Sequence, residues 1–156
     1  MEFLSSLHPV FVHFPIAVFF LYIIFELLGI FDDKYSKAAL VLLLFGVLTG
    51  LATVLTGNQA AEALFKSSQI GKNIPRELIE SHENYATLTL WFFFALAALR
   101  IYLVVKKKFN KKMKIIILFL AILGYVFVFE TGERGGKLVY DFGAGTRINH
   151  KIDNNK

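Results

Sequence analysis

The sequence predicts an all-α fold, a four-transmembrane-helix bundle with N- and C-termini outside and a short Gly-rich C-terminal segment. Three observations carry that reading. The chain of 156 residues is 56% hydrophobic, with a mean hydropathy of +0.57 and only 19% charged residues. Four stretches are apolar for long enough to cross a bilayer, and the basic residues crowd one short connection. An ordinary soluble domain of this size is less apolar and more charged. A spanning helix needs about 20 mostly apolar residues, and residues 10–31, 38–57, 85–105 and 113–131 supply such runs. Together they make residues 1–148 a single integral membrane domain and leave 149–156 as a polar, disordered tail.

Cysteine is absent. Disulfides, thiolate metal sites, iron–sulfur ligation and thioether-attached haem are thereby excluded, and any cofactor must be held by His, by carboxylates or by packing. No basic residue precedes the first apolar stretch and no small-residue cleavage pattern follows it, which reads against a removable signal peptide.

Topology follows from charge. Arg100, Lys106, Lys107, Lys108, Lys111, Lys112 and Lys114 flank or fill the third connection, which the positive-inside rule places in the cytoplasm. Four spans then put the Asp32–Lys37 turn inside, and the N-terminus, the 58–81 connection and the C-terminal tail outside. His8, His13, His82 and His150 all fall on the outer face.

In the first segment Pro9 suits a first helical position with His8 as its cap. Pro15 cannot donate to the carbonyl of Phe11 and disfavours helical geometry at Phe14. A bend is therefore expected beside His13, as a kinked first turn or an irregular entry. Glu26, near the inner end, needs a partner or water at that depth. Arg100 lies at similar depth in the third span, so the two either pair or each snorkel to the headgroups.

The second segment sets Gly46, Gly50, Thr53 and Gly57 along one helical face. Small faces admit a neighbouring helix closely, or equally a flat porphyrin edge. The 58–81 connection is polar, with Asn73 as a candidate cap and Pro75 early in a helix that runs on into the third span. On that helix His82, Ala86, Thr89 and Phe93 share a stripe that turns His82 inward. The fourth segment has a short uncharged core, Ile115–Phe129, which requires Lys114 to snorkel and Glu130 to sit at the outer boundary. Gly132 is expected to stop this helix. Gly135 and Gly136 then open a segment that folds back over the outer helix ends.

The opening LHPVFVHFPIA, the pairs Thr49-Gly50 and Thr56-Gly57, His82 and the ending ETGERGGKLVYDFGAG resemble the bacterial membrane family called domain of unknown function twenty-two thirty-one. The resemblance covers nearly the whole chain. It implies a four-helix protein of the bacterial cytoplasmic (inner) membrane, without an assigned activity and sometimes fused or adjacent to c-type cytochrome or Rieske domains. Asp141-Phe142 departs from the family's more basic or His-containing pair.

Three functions remain open. A haem b or quinone-linked electron-transfer subunit would use His13 and His82 as axial ligands, with His8 as a third candidate and an external redox protein as partner. Lacking histidine in the inner half, such a subunit could hold haem only at the outer face. A zinc or copper accessory or sensor would use His8, His13 and His82 with a carboxylate such as Glu83 or Glu130. A structural or assembly subunit would bind no cofactor. Hydrolase and nucleotide-binding motifs are absent, which reads against an enzyme acting on its own. The basic cluster is explained by topology rather than by nucleic acid.

Overall fold

The computed structural model describes residues 2–66 and 74–144, with side chains from Leu7 onward. Five helices follow in order: α1 (Glu2–Phe11), α2 (His13–Leu28), α3 (Asp33–Lys66), α4 (Arg76–Val105) and α5 (Lys111–Tyr140). Four segments are long and apolar enough to cross a membrane: Leu7–Leu28, Asp33–Lys66, Arg76–Val105 and Lys111–Tyr140. Helices α2, α3, α4 and α5 close a ring in which each packs on its two neighbours, and α1 lies against α3.

The helices outrun the expected spans because their ends are stabilised by something other than apolarity. Helix α3 has 34 residues, about 50 Å at the usual rise, against a hydrocarbon thickness of about 30 Å. Its polar extension carries the Glu62–Lys66 ion pair. Helix α4 starts in the polar connection, with Arg76 on Glu80 and Pro75 at the N-cap; Asn73 lies outside the described residues.

Helix α5 corrects the expectation most plainly, because Gly132 does not stop it and Gly135 and Gly136 stay helical. The i,i+4 pairs Glu130–Arg134 and Glu133–Lys137 bridge those glycines, and Leu138 is buried with Ala61, Ile74 and Ile79 in a small apolar cluster above the membrane core. Nothing therefore folds back before Tyr140. The first segment is also corrected. Helix α1 already runs from Glu2, so His8 stands in its last turn and caps nothing, with Pro9 inside the helix.

The main core is aromatic and seated on glycine. Phe19 and Phe93 stack with ring centroids 3.7 Å apart. A Cβ on Gly46 would lie 2.7 Å from Phe19 Cδ1, and one on Gly124 would lie 2.7 Å from Phe92 Cε1 and 3.0 Å from Phe93 Cζ. Hydrocarbon offers helices no hydrophobic drive to associate, so such close packing is what holds them.

At the end where α2 meets α3 and α4 meets α5, Glu26 and Arg100 are both 1% exposed. Arg100 Nη2 lies 2.9 Å from Glu26 Oε2 and donates to Ser36 O at 2.8 Å. The Phe109 ring centroid is 4.9 Å from the guanidinium carbon. The Lys114 ammonium group reaches the exposed Asp33 carboxylate at this end of the bundle. Buried, it donates to Gly29 O at 2.6 Å, at the C-terminus of α2, and pairs with Asp33 in the first turn of α3. A cation satisfies a helix end there that hydrocarbon could not.

Arg100→Leu should leave a lone buried carboxylate and cost about 3–5 kcal/mol, whereas Glu26→Leu/Arg100→Leu should recover most of that loss. Unfolding of the purified protein in neutral detergent checks this, and equal losses in the two variants would contradict it.

Candidate functional site

The site lies at the end of the bundle opposite the lysine-rich turn, between the aromatic core and the small upper cluster, and it begins with a proline. Pro15 stands in the first turn of α2, where no helical donor is missed, but it leaves Phe11 O without an intrahelical partner. The Thr53 hydroxyl of α3 approaches that oxygen at 3.1 Å while also within 2.9 Å of Thr49 O. The bend at Val12 is thus held to the small-residue face of α3, and α1 is laid against it.

That placement brings His8 onto Thr56 and Gly57. Thr56 Oγ1 donates within its own helix, 3.0 Å from both Ala52 O and Thr53 O, so its oxygen is left to accept from His8 Nδ1–H at 3.3 Å. A Cβ on Gly57 would stand 2.9 Å from His8 Cε1; the ring sits where only glycine leaves room.

His82 is held in the same manner from the other side of the bundle. Its Nδ1 lies 3.0 Å from Thr131 O, and a carbonyl can only accept, which fixes the proton on Nδ1. Gly135 follows Thr131 by one turn on the same face, and a Cβ there would be 3.0 Å from His82 Cε1. The missing side chain opens the approach to the Thr131 carbonyl. Below, Thr89 Oγ1 and Thr131 Oγ1 meet at 3.1 Å. Above, Arg134 donates to Ser81 Oγ at 3.0 Å and lies 3.7 Å from the centre of the Tyr85 ring, so α4 and α5 are fastened around the histidine.

The His8 and His82 rings are neighbours in a T-shaped, edge contact, with centroids 6.5 Å apart and planes 75° apart. Each ring meets the scaffold through Nδ1, His8 at Thr56 Oγ1 and His82 at Thr131 O, and the orientation of a ring is set by the hydrogen bond its anchored nitrogen makes.

The other expected residues distribute unevenly. His13, five residues after His8 and on another face, is exposed beside Phe14, Ala17 and Val18; it is His8 that stands beside His82. His150 lies outside the described residues. Gly50 has only an ordinary contact with Leu90, and Gly136 only its own helix's Tyr140. Glu26, Arg100 and Gly46 belong to the core and the opposite end. Among the described residues no group of three or more His, Asp or Glu side chains is placed to hold a metal ion. The anchoring groups Thr56 and Thr131 O were not singled out in the sequence as ligand partners, although each sits in a Thr-Gly pair, 56–57 and 131–132.

These features define an integral membrane protein, a bundle of four apolar helices with a paired-histidine layer near one end. The chain belongs to the DUF2231 family, described as a predicted membrane protein, whose model matches residues 4–147. No curated protein and no solved structure matches the chain.

Thr53→Val should remove the donor to Phe11 O and cost about 1–3 kcal/mol, the loss for an acceptor left buried without a partner. Thermal unfolding in detergent measures it, and a stability unchanged from the parent would show that the bend does not depend on Thr53.

Proposed function

We propose that this chain is a membrane electron-transfer subunit that holds one non-covalent haem b between His8 and His82. It would work at the outer face of the bacterial cytoplasmic membrane, between a quinol and an external redox protein. The observation that carries the proposal is the convergence of His8 and His82, each anchored through Nδ1 and each seated on a glycine. Haem asks its protein for two imidazoles and an apolar setting, because the porphyrin brings the remaining four nitrogens. A donor set of two supports the first of these requirements. Zinc takes three or four protein ligands, and the pair His8 and His82 alone does not meet it.

One-electron transfer would be the chemistry that haem supplies when bound. The chain's own contribution is positional. Thr56 Oγ1 and Thr131 O orient the two rings, and Gly57 and Gly135 let them lie against the helix backbones. The lysine-rich end supports a cytoplasmic placement of the opposite face by the positive-inside rule, which puts the histidine layer outside. With no histidine among residues 14–81 or 83–149, a second haem toward the inner face has no imidazole, so electrons would enter and leave on one side.

The test is the absorbance spectrum of protein expressed with ample haem, oxidised and then reduced. A Soret band with reduced α and β bands is expected in the parent and in His13→Ala, and its loss in His8→Ala and in His82→Ala. A colourless parent, or a band abolished by His13→Ala and kept in His8→Ala, would overturn the assignment.

A further inference from the structure

The lysine-rich end carries far more charge than its fold uses. Segments 26–37 and 100–114 hold nine of the chain's 17 basic residues and three of its 12 acidic ones. That is a local charge of +6 in a chain whose total is +5, so the remainder of the protein is −1. The three acids are engaged: Glu26 with Arg100, Asp32 with Lys34, Asp33 with Lys114. Lys37, Lys106, Lys107, Lys108, Lys111 and Lys112 are exposed, and among the described residues none of the six has a carboxylate within ion-pairing distance.

The backbone of the turn adds an independent observation. Helix α4 ends in a Schellman motif, with Lys107 N–H on Val104 O at 3.0 Å and Lys108 N–H on Leu103 O at 2.8 Å. The residue at the left-handed position of that motif is Lys107, with φ 53°. Glycine is the residue that backbone sterics favour there, and a side chain is carried against that preference. Immediately toward the membrane, Tyr102, Val105 and Ile115 are exposed and apolar. The unpaired ammonium groups therefore border a surface that faces lipid tails.

We propose that this end of the bundle is a binding surface for anionic phospholipid headgroups of the phosphatidylglycerol type. The six unpaired lysines contact the phosphodiesters, and the apolar belt beside them takes the acyl chains. Charge complementarity and the adjoining lipid-facing residues favour a lipid over a soluble anion. A lysine near an anionic membrane surface contributes roughly fivefold to partitioning, so several acting together retain bound lipid through purification. The surface is independent of the histidine layer and of any cofactor there.

The experiment uses the full chain in neutral detergent and follows thermal unfolding during titration with phosphatidylglycerol, phosphatidylcholine or glycerol phosphate. Phosphatidylglycerol should raise the unfolding temperature well beyond phosphatidylcholine, and glycerol phosphate should not. Lys106→Gln/Lys108→Gln/Lys111→Gln/Lys112→Gln should lose at least half of that excess. Lys107→Gly provides the second variant: its lipid-free unfolding temperature should equal or exceed the parent's, while its gain from phosphatidylglycerol falls. Equal stabilisation by the two lipids, an undiminished gain in both variants, or stabilisation by glycerol phosphate matching the lipid would each overturn the proposal. The first two results would leave the lysines as determinants of topology alone.

Discussion

Rings lying on glycine Cα atoms set the distances between helices at four contacts in two layers: Phe19 on Gly46 with Phe92 and Phe93 on Gly124, and His8 on Gly57 with His82 on Gly135. In hydrocarbon the helices gain nothing by hiding apolar surface from one another, and intimate contact has to supply the association. Glycine supplies it by removing the one atom that would hold a ring away. In the middle of the bundle the seated rings are phenylalanines and the layer is pure core. At the histidine layer the same device seats two imidazoles, and a packing solution becomes an arrangement of paired ligand atoms.

The polar groups near the histidines follow from a second constraint, that no buried backbone carbonyl goes without a donor. Pro15 creates the vacancy at Phe11 O and Thr53 fills it. This contact fixes the angle at which α1 meets α3, which in turn carries His8 to Thr56 and Gly57. On the other side Gly135 exposes Thr131 O, and His82 takes it. Proline in the first motif and glycine in the last act at a distance in sequence on one layer of the bundle.

The number of spans, the small-residue face of α3 and the inward stripe of His82 were legible from periodicity, and the cost of burying charge left the Glu26–Arg100 pair as one of two expectations, which the structure decides in favour of the pair. Helix ends were not, because hydropathy marks where lipid stops and the helices continue past it. At 57–66, 76–84 and 130–140 ion pairs one turn apart and a small second core keep the backbone helical through residues that read as loop. The choice of His8 over His13 was also hidden. Both flank the bend, and only the three-dimensional meeting of Phe11 O with Thr53 decides which of them faces α4.

The central claim is that His8 and His82 meet. Solid-state NMR of the protein in lipid bilayers tests it directly, with carbon-13 and nitrogen-15 in histidine alone and with His13→Gln/His150→Gln removing the other two rings. Ring-to-ring cross-peaks are expected between the two remaining histidines, in keeping with centroids 6.5 Å apart, with Nδ1 protonated on each. Two histidine spin systems with no through-space contact in a folded sample would contradict it.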